Sequence, residues 1–124
     1  MKFQEIYNRL FSARDELFEM ANLRKRETGL PVNIYVSSGG TVNKHHSPRI
    51  KVMYDTSNRF NPHATVSVIL KQDVTPTDVV GYNNLPNHIL TPIRNYINLN
   101  FDVLIDYWND KIDTIELSRK LKKL

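Results

Sequence analysis

Residues 49–54 read Arg49-Ile50-Lys51-Val52-Met53-Tyr54. Ile50, Val52 and Tyr54 alternate with Arg49, Lys51 and Met53, which is the period of a strand with one buried face and one wet face. Two other stretches repeat the pattern. Val32, Ile34 and Val36 alternate with Asn33 and Tyr35, and Val66, Val68 and Leu70 share a side opposite Ile69. Between the first two strands, Ser37-Ser38-Gly39-Gly40-Thr41 breaks the alternation as a turn, and Pro48 keeps Ser47 out of helical geometry. Asp55 to Pro62 is a turn-rich connection to the third strand. Three such strands in succession predict an antiparallel meander.

Such a sheet has an apolar face that needs a cover, and the flanking segments read as helices. Phe3, Ile6, Tyr7, Leu10, Phe11, Leu17, Phe18 and Ala21 recur at spacings of three and four, predicting a helix over residues 2–26. Arg24, Lys25 and Arg26 then fall in its last turn, where cations oppose the macrodipole, and Gly29 and Pro31 end it. After the strands, Thr75-Pro76-Thr77-Asp78 has the form of a helix start, with Gly81 closing that piece. Asn87 or Thr91, with Pro92, starts a longer helix along Ile93, Tyr96, Ile97, Phe101, Leu104, Ile105 and Trp108. Asp113-Thr114-Ile115-Glu116 reads as a capping box for a final helix bearing Leu117, Leu121 and Leu124. The expectation is one α+β domain over residues 1–124. It has an N-terminal helix, a three-stranded antiparallel sheet and C-terminal helices packed on one face, as a two-layer sandwich.

Composition narrows the function classes. The chain has 124 residues, the size of one domain, with 40% hydrophobic and 24% charged residues. It has no cysteine, which excludes disulfides, thiolate catalysis and cysteine-ligated metals. No stretch nears the ~18 continuous apolar residues of a membrane span. The opening Met-Lys-Phe-Gln-Glu lacks the apolar core of a signal peptide, so a cytoplasmic location is expected, that of the host if the protein is viral.

The net charge of +4 is unevenly distributed. Residues 1–43 carry +1. Residues 44–72 carry +4, with Lys44, Arg49, Lys51, Arg59 and Lys71 against Asp55 alone. Residues 73–116 carry −5, and residues 117–124 carry +4 through Arg119, Lys120, Lys122 and Lys123. Basic, acidic and basic blocks in turn suit either a polyanionic partner or contact between copies of the chain.

Several constellations are candidates for chemistry. In residues 39–49, Gly39, Gly40 and Thr41 form a turn able to offer backbone N–H groups to an anion, and Lys44, His45, His46 and Arg49 surround it. That stretch lacks P-loop spacing, and a polar hairpin loop explains it equally well. Arg49 and Lys51 share the solvent face of their strand, and Arg59 and Phe60 follow on the next loop. Tyr35 and Tyr54 lie near in sequence, so cations interleave with aromatics as in strand-tracking nucleic-acid surfaces, with Phe60 and Tyr54 as stacking anchors. Asp102, Asp106 and Asp110 form a row along one helix face, an acidic contact stripe or an ordinary solvated face. Trp108, Phe101 and Tyr107 add apolar surface that suggests a homo-oligomer.

The four histidines have no metal-binding spacing, so neither a metal nor a cofactor is expected. Pairs such as Ser47 with His46, or Ser57 with His63, are adjacent in sequence, which says little about a triad. In composition, with small size, no cysteine and mixed charge blocks, the chain resembles accessory proteins of phages and mobile elements. The leading expectation is a small non-enzymatic binding protein, or inhibitor, of that kind. It would act on nucleic acid or a protein partner through Lys44, His45, His46, Arg49, Lys51, Arg59 and Phe60. Two alternatives stand beside it. One is a small-ligand binder holding a phosphate-bearing metabolite or nucleotide in the 39–49 loop. The other is a small hydrolase or nuclease that uses His45, His46 or His63. No membrane partner is expected.

Overall fold

The structure, a computed structural model, describes residues 20–38, 47–54, 64–81 and 85–124. The elements run β1 (Met20–Leu23), α1 (Lys25–Thr28), β2 (Ile34–Ser37), β3 (Arg49–Met53), β4 (Thr65–Ile69), a 3₁₀ turn (Pro76–Asp78), β5 (Val79–Val80), α2 (Asn87–Trp108) and α3 (Thr114–Lys120). The strands form one antiparallel sheet in sequence order, from β1 at one edge to β5 at the other.

Register aligns the inward side chains into two rows. One crosses all five strands through Ala21, Val36, Ile50, Val68 and Val79. The other crosses four through Leu23, Ile34, Val52 and Val66. All but Val79 are buried, and they form one core with Ile89, Leu90, Ile93, Tyr96, Ile97 and Leu104 of α2 and Leu117 of α3. The C-terminal helices thus cover one face of an antiparallel sheet, as expected.

Among the described residues the sheet has five strands, where the alternation indicated three. Residues 20–26 were expected within a helix. Instead Met20–Leu23 pair with β2, Ala21 opposite Val36 and Leu23 opposite Ile34, and only Lys25–Thr28 make a single helical turn. Ala21 suits the helical stripe, but Ala21, Asn22 and Leu23 also alternate. Pairing with a complete neighbouring strand decides between the two. The rest of the expected N-terminal helix, residues 1–19, lies outside the described residues. At the other edge, Pro76 to Asp78 make one 3₁₀ turn, after which Val79 and Val80 pair with Val68 and Ser67.

Helix α2 starts at Asn87, so Thr91 does not cap it and Pro92 lies inside it. It bends at Asn100, which leaves helical geometry (φ −116°, ψ 17°) and is 2% exposed. The Asn100 side chain donates through Nδ2 to the Tyr96 carbonyl (3.2 Å) and the Lys122 carbonyl (2.9 Å), and accepts from the Lys122 N–H (2.7 Å). It therefore fastens the C-terminal tail along the bend, a side chain replacing a lost helical bond. Two residues on, the Leu124 N–H donates to the Thr28 carbonyl (2.9 Å). Gly29, which ends α1 at φ 80°, leaves room for this: a Cβ there would meet the Leu124 carbonyl oxygen at 3.0 Å. The capping box at α3 forms as the sequence indicates. The Asp113 carboxylate accepts from the Glu116 N–H (2.8 Å), and Glu116 returns the bond at 3.5 Å.

Asn100→Ala removes three hydrogen bonds and leaves the Lys122 backbone groups unpaired near the core. It is expected to cost about 2–3 kcal/mol in urea unfolding. Asn98→Ala breaks only an exposed exchange with Asp73 (2.9 Å both ways) and is expected to cost about 1 kcal/mol or less.

Candidate binding surface

Because the inward rows are filled with apolar side chains, every polar side chain of β2–β4 faces outward. Arg49 and Lys51 therefore lie side by side on the outer face, both partly exposed. Lys51 sits between Tyr35 on β2 and Ser67 on β4, and Arg49 sits opposite Ile69. The Arg49 Nε donates to the Ser47 carbonyl at 3.4 Å. None of the five strands contains an aspartate or glutamate, so no carboxylate lies across the sheet from either cation.

The aromatic part of the expected surface is corrected. Tyr54 follows Ile50 and Val52 onto the inward side and packs against the core, so it is not a stacking anchor beside Arg49 and Lys51. Tyr35 does share their face, but it is only 5% exposed, and its hydroxyl lies 3.7 Å from the sulfur of Met53, itself fully buried. Among the described residues, the outer face thus offers charge and no free aromatic ring. Gly39, Gly40, Thr41, Lys44, His45, His46, Arg59, Phe60 and His63 lie outside the described residues. His88 is described, exposed in the first turn of α2. No group of three metal-ligating side chains occurs among the described residues.

The acidic row is shortened. Asp102 and Asp106 lie on α2, but the helix ends at Trp108 and Asp110 falls beyond it. Asp110 adopts φ 58°. Its N–H reaches the Tyr107 carbonyl (3.1 Å), and the Lys111 N–H reaches the Asp106 carbonyl (2.9 Å), closing the helix as a Schellman turn. The Asp110 carboxylate accepts a hydrogen bond from the Ser38 hydroxyl, so it serves as a helix stop tied to the end of β2. A cleft of about 240 Å³ gathers Asp102 with Lys120 and Lys122, bringing the acidic helix and the basic tail together within one chain. Tyr107 and Trp108 are buried, so they supply no surplus apolar surface for an oligomer contact.

Lys71 also leaves the basic set. Its ammonium pairs with Asp78 at 3.3 Å. Asp78 is 8% exposed and accepts from the Thr75 N–H (2.7 Å) and hydroxyl (3.1 Å). The Thr75 backbone bond above all, with Lys71 assisting, holds the Asp78 carboxyl below its ordinary value. Sequence reading missed Arg24, Lys25 and Arg26 as a surface group, because it placed them at the end of a helix. They follow β1 and, with Asn33, line a cleft of about 310 Å³.

Compared with known family models, curated proteins and solved structures, the chain matches none. No helix among the described residues is long and apolar enough to cross a membrane.

Since the Asp78 carboxyl is lowered in the folded chain, its contribution to stability is complete above the ordinary aspartate range and is lost as pH falls through the folded value. Asp78→Asn is therefore expected to lower the melting temperature at pH 7. The gap to the parent should close on acidification below the ordinary value of 3.8. A gap that persists unchanged at low pH contradicts this assignment.

Proposed function

We propose that the protein is a non-enzymatic binding protein that engages the backbone of a nucleic acid through the outer face of its sheet. The observation that supports this most is Arg49 and Lys51 side by side on strand β3, in a sheet whose strands contain no carboxylate. Two adjacent cations without acids across from them leave a positive field to be neutralised from outside, and phosphates do so with release of counterions. Lys44, His45, His46, Arg59 and Phe60, which follow or precede these strands in sequence, are proposed to extend the same surface.

The reading favours backbone contact over base recognition. Tyr35 and Tyr54 are committed to packing, which removes two of the rings that base stacking would need. Such a surface holds strands with little regard to sequence, as an accessory or inhibitory protein of a phage or mobile element would require.

The test is binding of the full chain to a single-stranded oligonucleotide at several salt concentrations. Log affinity should fall linearly with log salt. Arg49→Gln/Lys51→Gln should reduce the slope by about 1.4, near 0.7 for each lost phosphate contact. Affinity that ignores salt, or a double variant with an unchanged slope, contradicts the proposal.

A further inference from the structure

Arg24 is extended (φ −78°, ψ 157°), and Lys25 and Arg26 open the helical turn that follows it. Here all three border the same cleft of about 310 Å³, together with Asn33. The turn is held in place by its backbone. The Glu27 and Thr28 N–H groups reach the Arg24 carbonyl at 2.9 and 3.1 Å, and the Gly29 N–H reaches the Lys25 carbonyl at 2.8 Å. Asn33, 2% exposed, accepts the Lys25 N–H through Oδ1 at 3.0 Å and anchors the turn to the start of β2.

Among the described residues, the turn itself carries one carboxylate, Glu27, against these three cations. The ion pair found among the described residues joins Lys71 to Asp78, away from the cleft. Glu27 also lies close enough to Tyr96 to act on its phenol. Burial, with a smaller push from Glu27, raises that phenol to about 12. Three cations around one concavity repel one another, and a multiply charged anion relieves that repulsion. Two arginines favour phosphate, whose oxygens match the guanidinium fork and whose two charges balance more of the cluster than one carboxylate does. The volume exceeds that of a bare anion and leaves space for an organic portion.

We infer that the Arg24–Lys25–Arg26 cleft is a binding site for a phosphomonoester, with the two guanidinium groups on the phosphate oxygens and Lys25 adding charge. Asn33 is a positioning residue that keeps the turn against the sheet. The site uses none of the residues of the sheet-face reading and stands or falls apart from it.

The experiment is an amide-resolved NMR titration of the full chain at fixed ionic strength with inorganic phosphate, 5′-AMP, adenosine and a 5′-phosphorylated dinucleotide. The expected result is saturable shifts at residues 24–27 and Asn33 with the three phosphate compounds and none with adenosine. Tighter binding of the dinucleotide than of 5′-AMP assigns the site to a strand end. Equal or weaker binding assigns it to a free metabolite. Arg24→Gln/Arg26→Gln should weaken 5′-AMP about tenfold or more, since charge-assisted bonds are lost, with the melting temperature unchanged. Arg49→Gln/Lys51→Gln should leave 5′-AMP affinity within about twofold, the scale on which distant sites act independently. No saturation below about 10 mM, equal shifts with adenosine, or loss of 5′-AMP binding only in the Arg49 and Lys51 variant overturns the inference.

Discussion

Two rows of side chains cross the sheet, Ala21, Val36, Ile50, Val68 and Val79 in one and Leu23, Ile34, Val52 and Val66 in the other. A meander whose inward positions are aliphatic in every strand must be covered, and α2 with Ile93, Tyr96 and Ile97 provides the cover. A one-residue slip in any strand would turn its aliphatic set to water, so the rows also set the register. The rest of the structure follows from that burial. The bend of α2 at Asn100 brings the tail under the helix, and Leu124 then closes onto Thr28 beside Gly29.

The same constraint sorts the charges. With the inward face closed to polar groups, Arg49 and Lys51 have only the outer face available. Most described carboxylates fall on or beside the helices, as at Asp102, Asp106 and Asp113. Several charges that look free in sequence are engaged once the chain folds. Lys71 pairs with Asp78, and Asp110 stops α2 and binds Ser38. Among the described residues, cations also gather at the outer face of β3 and at the cleft after β1.

The strands β2, β3 and β4 are legible in the sequence because each alternates over at least four residues, and the α3 capping box is legible because its spacing is local. β1 and β5 are not, since four residues and two residues carry too little pattern to outweigh a helical stripe or a Thr-Pro start; their partners across the sheet decide them. The end of α2 is likewise invisible to spacing, because the row Asp102, Asp106, Asp110 continues past the residue where Asp110 turns left-handed. Tyr54 shows the converse: its place beside Ile50 and Val52 in the alternation already put it on the inward side, against a role as a stacking anchor. The cluster at Arg24, Lys25 and Arg26 was visible as a run of cations, but its meaning depended on whether a strand or a helix precedes it.

We propose that the outer face of the sheet, and not the basic C-terminal tail, meets a polyanion. It is tested most directly by mapping amide shifts of the full chain as a single-stranded oligonucleotide is added. The largest shifts are expected at Arg49, Lys51 and Ser67, with α2 unaffected. Shifts confined to Arg119, Lys120, Lys122 and Lys123 would contradict it, since they would place the contact on the tail beside Asp102.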